Sequence, residues 1–333
     1  MSSLHVTAAT GTLFSPTSIF DPAGTPSHSI FGLSMLILGV TFAIFLIVGG
    51  LLLYALLRYR VHPGDSEREP PQIYGSTQIE LSWTVIPILI VVMLFLTTTR
   101  VILGTESIPK PKQALDVTVI GHQFWWEYRY PGLGVATANE LHIPVSDPSQ
   151  PTPAYLTMSS ADVAHSFWVP RLAGKMDVIP NRVNVMWMDP KEPGLYLGQC
   201  AQYCGTQHAK MLLRVYADSP ADFAKWVEQQ KQPAVTSFPG NAAATEGQRV
   251  FLHSACINCH AVAGTVANGR FGPDLTHLAS RETLASGPIP NNAENLRKWI
   301  EDPNAMKPGS LMPAMHLNDH ELDVITAYLT QLH

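Results

Sequence analysis

Two cysteines, a histidine and a methionine lie close together in one short stretch of the chain, GQCAQYCGTQHAKM. Cys200 and Cys204 are four residues apart, so a curled loop can aim both sulfur atoms at one point. Sulfur and imidazole donors without a carboxylate favour copper or zinc over magnesium or calcium. The two thiolates can bridge a pair of copper ions, with His208 as a terminal ligand and Met211 as a weak ligand that tunes the potential. The second copper needs another imidazole, for which His165 in an upstream apolar segment is a candidate.

This cysteine pair has other conceivable uses. Cys200 and Cys204 could form a disulfide in an exported domain, or supply half of a zinc site. Neither alternative explains the histidine and the methionine at their offsets from the cysteines. A mononuclear blue copper site needs only one cysteine, and the second thiol argues against it. The spacing therefore favours a pair of copper ions.

A second motif lies near the C-terminus, where Cys256, Cys259 and His260 form the pattern C-x-x-C-H. This pattern is typical of c-type haem attachment. Two thiols three positions apart can form thioethers with the haem vinyl groups, and the adjacent imidazole can reach the iron. A zinc knuckle would need further ligands at suitable spacing, and His253 and His277 are poorly placed for it.

Composition limits the classes of function that remain. The chain has 333 residues, a net charge of −5 and 14% charged residues. Its length leaves room for a membrane segment and two compact domains. The weak negative charge gives no electrostatic basis for binding nucleic acid. All four cysteines belong to the two motifs, which leaves none for structural disulfides.

Two long apolar runs predict a transmembrane hairpin over residues 30–103. The first helix is predicted at about 30–57, a run without any charged residue that exceeds the ~20 residues needed to span a bilayer. The second helix is predicted at about 81–102. Pro87 is expected in its first turns, where fewer intrahelical hydrogen bonds are lost.

Charges around these runs predict the orientation of the hairpin. The N-terminal tail, residues 1–29, has no Lys or Arg and does not resemble a cleaved leader. The loop between the helices carries three arginines, Arg58, Arg60 and Arg68. Three prolines prevent a continued helix there, Pro63, Pro70 and Pro71. The positive-inside rule places this loop in the cytoplasm, so the tail and the rest of the chain are expected outside.

The region from 104 to 231 has the pattern of an all-β domain. Short runs that alternate between apolar and polar residues, broken by Pro and Gly, predict a β-sandwich or a Greek-key barrel. The predicted strands cover 116–121, 124–130, 154–158, 182–188 and 211–216. A short helix should follow, with Ser219 as its N-cap and Pro220 as its first residue. Its apolar face should dock on the sandwich.

A linker and a helical domain complete the chain. Residues 232–243 are rich in Pro and small side chains and are predicted as the linker. The C-terminal domain, residues 244–333, should contain a helix leading into the C-x-x-C-H motif. A second helix should open at Asn318 with a capping box completed by Glu321, and extend through Gln331.

Two segments together resemble a known family. The run HSFWVP at 165–170 and the cysteine-rich stretch are similar to the binuclear copper A (CuA) site of cytochrome c oxidase subunit II. The resemblance implies a cupredoxin fold for residues 104–231, whose loops bring both segments to one end. It also implies the full ligand set: His165, Cys200, the backbone carbonyl of Gln202, Cys204, His208 and Met211.

The sequence departs from this family at two positions. In the family pattern G-x-Q-W-Y-W, the first Trp commonly receives electrons from soluble cytochrome c, but this chain has Phe124 there. We therefore expect a different route of electron entry. Relatives commonly have Glu at the position of Gln202, and that side chain helps to bind a magnesium ion. A neutral amide is a poorer ligand for a hard cation, so the magnesium site of the family is not carried over to this chain.

The C-terminal domain resembles class I cytochrome c. Gly272 and Pro273 match the loop in which a proline supports the histidine ligand of the haem. The second axial ligand should be a methionine, which raises the haem potential. The pattern P-G-x-x-M-P selects Met312, with Met315 as the alternative. The overall prediction is a multi-domain chain with a two-helix hairpin, a cupredoxin domain and an all-α cytochrome c domain.

Glu80 lies at the start of the second predicted helix, in the run ELSWTVIP. A carboxylate in the first turn of a helix is favoured by the helix dipole and can simply face water. The pattern E-x-x-W-T-x-x-P nevertheless resembles the second helix of the family, where the matching Glu lies at the entrance of a proton path into subunit I. The resemblance thus implies the same role for Glu80.

Taken together, the motifs imply subunit II of a respiratory oxidase of the caa3 type. Electrons would pass from one covalent haem c to CuA and on to haem a of subunit I, where oxygen is reduced and protons are pumped. Expected partners are subunits I and III, membrane lipid, and a donor that is either a cytochrome c or a quinol-oxidising complex. The expected location is the bacterial plasma membrane, with the C-terminal domains periplasmic. The alternatives are a CuA subunit of a nitric oxide reductase and a membrane-anchored electron carrier.

Overall fold

The computed structural model describes residues 15–62, 64, 72–106, 110–112, 114–147 and 152–333. These residues fall into two compact units, one formed by the membrane helices and one by the β-rich and C-terminal domains. The predicted fold class is confirmed: two long apolar helices are followed by a β-rich domain and a helical domain. Residues 1–14, Arg68 and the loop prolines Pro63, Pro70 and Pro71 lie outside the described residues.

Both apolar runs form long helices, α1 (Thr25–Arg58) and α2 (Thr77–Glu106). Each helix begins before the apolar run predicted for it, since polar residues at the ends can continue a helix without adding to the run. Pro26 lies in the first turn of α1, where its missing N–H costs no hydrogen bond. The side chains along both apolar stretches are largely exposed, as a membrane-spanning pair requires.

One expectation about α2 is wrong. Pro87 was expected in the first turns of the helix, but α2 begins at Thr77 and Pro87 therefore lies in its interior. At that position the proline removes the hydrogen bond to the carbonyl of Trp83. Proline inside a membrane helix is tolerated when neighbouring groups satisfy the freed carbonyl.

The β-rich domain is a sandwich of two five-stranded sheets. One sheet has the strand order β3-β2-β1-β5-β8, and the other has the order β4-β10-β9-β6-β7. The strands are β1 (Leu115–His122), β2 (Trp125–Tyr130), β3 (Val135–Ala138), β4 (Glu140–Pro144), β5 (Ala154–Ser160), β6 (His165–Trp168), β7 (Met176–Val178), β8 (Asn184–Met188), β9 (Gly194–Cys200) and β10 (Leu212–Asp218). The five predicted strands are present, and five more are shorter or less regular than the alternation could reveal.

The core of the sandwich lies between the two sheets. Alternate residues of β1, such as Val117 and Val119, are buried, and so are Trp126, Tyr128 and Tyr130 of β2. Burying one such large side chain stabilises the fold by about 1.5–3 kcal/mol. Most of the aromatic segment therefore serves packing.

Helix α3 (Pro220–Gln230) closes the sandwich as predicted. The side chain of Ser219 accepts a hydrogen bond from the N–H of Asp222, which confirms the N-cap. Trp226 on its inner face lies 5.3 Å from Tyr130 and 4.4 Å from His142, measured between ring centroids. The helix is thus anchored on β2 and β4.

The C-terminal domain is mostly helical. Its elements are α4 (Ala242–His253), α5 (Cys256–Cys259), β11 (Thr283–Leu284), β12 (Ile289–Pro290), α6 (Ala293–Glu301), α7 (Pro303–Met306) and α8 (Asp319–Leu329). The predicted capping box of Asn318 and Glu321 is present at the start of α8, which ends two residues before the predicted Gln331. Helices α4 and α8 cross at Gly247, where a Cβ atom would lie 1.8 Å from the carbonyl oxygen of Val324. Only glycine permits this close packing.

The predicted linker, residues 232–243, packs against the C-terminal domain. Ala234 and Phe238 are buried in the core of that domain, and the ring of Phe238 lies edge-on to Tyr328. The N–H of Ala234 also donates to the carbonyl oxygen of Ala263. This part of the chain is therefore fixed along the domain that it precedes.

Candidate metal and haem sites

Strand pairing assembles the cysteine-rich stretch with His165. Strand β9 ends at Cys200 and β10 begins at Leu212. We call the stretch Cys200–Met211, from the last residue of β9 to the residue before β10, the copper loop. Strand β6 begins at His165 and pairs with β9, which sets Phe167 opposite Cys200. A Cβ at Gly121 would lie 2.8 Å from the His165 ring, so glycine makes room for that imidazole.

The structure brings all six predicted copper ligands together. Their donor atoms form close pairs: Cys200 Sγ to His165 Nδ1 3.9 Å, Cys200 Sγ to Cys204 Sγ 3.9 Å, Cys204 Sγ to His208 Nδ1 3.7 Å, Cys204 Sγ to Met211 Sδ 3.9 Å, and Cys200 Sγ to the carbonyl oxygen of Gln202 3.2 Å. Both thiols are free and buried, so they do not form the disulfide considered above. Each cysteine has one histidine beside it, which is the symmetry that two bridged metal ions require.

The two thiols perturb each other's ionisation. The hydrogen bond between the thiols, together with His165 and nearby backbone groups, holds the pKa of Cys200 far below its usual range. The same interaction, reinforced by burial, raises the pKa of Cys204. One thiolate is therefore readily formed while the second proton is retained, until an ion able to bind both sulfurs displaces it.

Asp162 orients His165, a role that the sequence patterns did not reveal. Its carboxylate lies 2.8 Å from His165 Nε2, which leaves Nδ1 facing Cys200. Burial lowers the pKa of His165, but its hydrogen bonds with Asp162, whose carboxylate accepts, and with Cys200 outweigh burial and leave that pKa raised. A carboxylate behind a ligating imidazole fixes the ring and its tautomer. An aspartate three residues before a histidine is too common a pattern to have drawn attention.

We expect Asp162→Asn to weaken copper binding by about 10- to 100-fold, the usual cost of removing a partner of a ligating histidine. Copper retained per chain against chelators of graded strength is the measurement. Asp177→Asn is the matched control, because Asp177 lies exposed on the neighbouring strand β7. Equal copper retention in both variants and the parent chain would contradict this role of Asp162.

The C-terminal domain contains a cavity of about 560 Å³ that is lined by Cys256, Cys259 and His260 of the C-x-x-C-H motif. Cys256 and Cys259 lie on the single turn of α5, and His260 follows directly. The Nδ1 atom of His260 lies 2.8 Å from the carbonyl oxygen of Pro273, as the resemblance to class I cytochrome c implies. A Cβ at Gly272 would lie 2.6 Å from the His260 ring, so this glycine allows the loop to support the imidazole.

The lining of this cavity fits a haem group. Most of the lining residues are apolar, and Met312 and Met315 both contribute to it, so the cavity does not decide between them. Arg281 is also part of the lining and is buried, yet its Nε atom has no hydrogen-bond partner among the described residues. A buried guanidinium without a full set of partners suits a carboxylate group on the ligand.

The haem cavity also reaches the sandwich domain. Gln123, Phe124 and Trp125 line its far side. The side-chain amide of Gln123 donates a hydrogen bond of 2.7 Å to the carbonyl oxygen of Cys204. A Cβ at Gly205 would lie 3.0 Å from the Phe124 ring, so the copper loop packs directly on that ring. The unusual Phe124 therefore lies between the two predicted cofactor sites.

Two further predicted residues have exposed side chains. Glu80 is exposed in the first turn of α2. The side chain of Gln202 is exposed on the copper loop, although its carbonyl oxygen faces Cys200.

Comparison with known proteins identifies each part of the chain. Three family descriptions match in order: the transmembrane domain of cytochrome c oxidase subunit II over residues 15–101, its periplasmic domain over 135–217, and cytochrome c over 244–333. Cytochrome c oxidase subunit 2 of Alkalihalophilus pseudofirmus is 36% identical over 94% of this chain and 90% of its own length. The same subunit of Bacillus sp. (strain PS3) is 34% identical over 82% of this chain and 80% of its own length.

Among solved structures, the periplasmic domain of subunit II of cytochrome oxidase of Bradyrhizobium japonicum is 29% identical. It covers 37% of this chain and 96% of its own, with a TM-score of 0.34. The sequence relatives and the family matches show that the chain belongs to the cytochrome c oxidase subunit II family: it is a membrane-anchored subunit of a haem-copper oxidase with a periplasmic CuA-type domain and a fused cytochrome c domain, and it transfers electrons to the oxidase.

Proposed function

We propose that this subunit passes electrons from one haem c to a pair of copper ions on the same chain, and from there to haem a of subunit I. The observation that carries the proposal is the juxtaposition of the two sites. The haem cavity ends at Gln123 and Phe124, and Gln123 is hydrogen-bonded to the backbone of the copper loop at Cys204. When bound, the two cofactors supply the one-electron redox chemistry.

The copper pair is held by side chains that divide into two sets. His165 lies beside Cys200, and His208 lies beside Cys204, at 3.9 Å and 3.7 Å. Both sulfurs can bridge the two ions, with Met211 and the carbonyl oxygen of Gln202 as the weaker ligands. Burial of the cysteines keeps water away and limits rearrangement of the ligands.

Cys256 and Cys259 would hold the haem through thioethers, and His260 would bind its iron. The carbonyl oxygen of Pro273 accepts a hydrogen bond from Nδ1 of His260, which would leave Nε2 to bind the iron. Arg281 is placed to pair with a haem carboxylate. Met312 is proposed as the other axial ligand, with Met315 as the alternative.

The wider setting follows from the membership of the family. The proposed location is the plasma membrane of a bacterium, with the loop between α1 and α2 in the cytoplasm. Subunits I and III and membrane lipid surround the helices, and oxygen reduction and proton pumping take place in subunit I. The donor to the haem is a cytochrome c or a quinol-oxidising complex. No magnesium ion is proposed at the contact with subunit I, because Gln202 offers a neutral amide.

Gas consumption by the purified complex tests this function. The complex, reduced through its haem c, should consume O2 and co-purify with a multi-helix haem protein in fixed ratio. Consumption of NO in place of O2 would indicate a nitric oxide reductase. Isolation of the chain without any haem-containing partner would indicate a free membrane-anchored carrier.

For Glu80, we propose a role at the entrance of the proton path into subunit I. We expect Glu80→Gln to slow proton-coupled turnover while electron transfer from haem c to copper keeps its rate, because only the proton route loses its carboxylate. Steady-state O2 uptake and single-turnover absorption changes measure the two steps separately. Glu106→Gln, at the opposite end of α2, is the control. Equal loss of both rates in the Glu80 variant would refute the role.

A further inference from the structure

One small hairpin of the C-terminal domain contacts the sandwich domain. Strands β11 and β12 pair antiparallel, and with the two preceding residues they form what we call the docking hairpin, residues 281–290. Its turn contains Ala285 and Ser286 with φ of 54° and 63°. Side chains other than glycine rarely adopt this conformation, which persists only where the surroundings hold it. Here part of that support comes from Leu212 of the sandwich domain, which is hydrogen-bonded to Ser286.

A buried carboxylate of the sandwich domain receives the start of this hairpin. Glu140, at the first position of β4, is only 4% exposed. It accepts hydrogen bonds from the N–H of Glu282 at 3.0 Å and from the N–H and the hydroxyl of Thr283, both at 2.9 Å. Arg214 on the adjacent strand β10 pairs with the Glu282 carboxylate at 2.6 Å. Hydrogen bonds to an ionised acceptor are about twice as strong as neutral ones.

The turn of the hairpin makes a second attachment. Ser286, which is 1% exposed, exchanges two hydrogen bonds with Leu212: its carbonyl accepts from the Leu212 N–H at 3.1 Å, and its hydroxyl donates to the Leu212 carbonyl at 3.2 Å. Leu212 directly follows the copper loop. The backbone beside the predicted copper site is thus tied to the C-terminal domain.

A buried lysine makes the third attachment. Lys307 is 3% exposed, and its amine donates to the carbonyl oxygen of Ala285 at 2.8 Å and to that of Phe124 at 3.3 Å. A buried ammonium is costly unless it is hydrogen-bonded. Ala285 belongs to the same domain as Lys307, so the contact with the Phe124 carbonyl is the one of the two that requires the docked arrangement. Nearby, a Cβ at Gly309 would lie 2.8 Å from the Thr206 side chain, which leaves no gap beside the copper loop.

We propose that these contacts lock the C-terminal domain in one orientation on the sandwich domain, with Glu140 as the main positioning residue, and that the lock closes the face of Phe124 to external electron carriers. A freely tethered domain would expose Phe124, Leu212 and the Glu140 carboxylate to water. In the structure all three positions are covered by the C-terminal domain. An external donor must therefore be received by the C-terminal domain. This inference rests on the proposed function only in taking electron transfer as the process from which external carriers are excluded at Phe124.

Hydroxyl-radical footprinting of the purified full-length complex tests the lock without any redox reaction. Phe124 is 8% exposed, so its ring should react only when the two domains separate. We expect Phe124 to stay unmodified in the parent chain and to be oxidised in Glu140→Ala. Lys307→Met provides a second variant from the other domain, should Glu140→Ala fail to fold. Glu294→Gln is the control, because Glu294 pairs only with Lys298 on the surface of α6.

Hydrogen exchange supplies an independent readout on the same samples. The amides of Leu212, Glu282 and Thr283 should exchange about 10- to 100-fold faster in Glu140→Ala, the factor expected when hydrogen bonds to a charged group are lost. Amides in β1 and α8 should not change. The proposal is overturned if Phe124 of the parent chain is oxidised, or if both interface variants keep the protection of the parent. Failure of oxygen uptake in an intact, protected complex would instead count against the proposed function.

Discussion

Cys204→Ser should leave the subunit without a binuclear copper site. The serine hydroxyl is a poor substitute for a bridging thiolate, because copper prefers soft donors. His208 and Met211 both lie beside Cys204, so their ion loses its central ligand as well. We expect the copper content to fall from two ions per haem to one or none. Any remaining copper should show hyperfine coupling to a single copper nucleus in electron paramagnetic resonance.

The neighbouring residue offers a matched control for this change. Tyr203 is exposed on the same loop, and Tyr203→Phe should keep both copper ions and the shared electron. The haem spectrum should be unchanged in both variants, which separates loss of copper from misfolding. If Cys204→Ser kept two copper ions with an electron shared between them, the assignment of bridging thiolates would be wrong.

Met312→Ala should remove the second axial ligand of the haem iron. The absorption band that arises from the sulfur–iron bond, near the red end of the visible spectrum, should disappear. The haem potential should fall by on the order of 100 mV, a part of the roughly 0.8 V over which axial ligands set haem potentials. Optical spectra and redox titration of the purified subunit measure both effects.

Met315→Ala is the natural control, since both methionines line the same cavity. It should keep the band and shift the potential little. The opposite result, with the band retained in Met312→Ala and lost in Met315→Ala, would transfer the ligand role to Met315.

Local sequence patterns predicted the parts of the sites that lie within one short stretch. The C-x-x-C-H motif and the copper loop bring their own ligands together, because the residues are separated by a turn or a loop at most. The capping residues Ser219 and Asn318 were predictable for the same reason. The apolar runs revealed the membrane helices but not their ends, since a helix can continue through polar residues.

Contacts between distant residues were beyond such patterns. His165 joins the copper loop only because β6 pairs with β9, and the resemblance to a family, not its spacing, implied this contact. Asp162 and Arg281 act through partners that the fold supplies. Glu140 meets Glu282 across two domains, although each is an ordinary surface residue type in the sequence. Strands of three or four residues, such as β6 and β7, are too short to show an alternation.

The most direct test of the account is the kinetics of electron transfer within the purified subunit. After rapid reduction of haem c by a small photoreductant, haem absorbance should decay as the copper absorbance changes, at one rate that does not depend on protein concentration. Such a rate means that both centres lie on one chain in contact. A rate proportional to protein concentration, or a haem that stays reduced until a soluble carrier is added, would contradict the account.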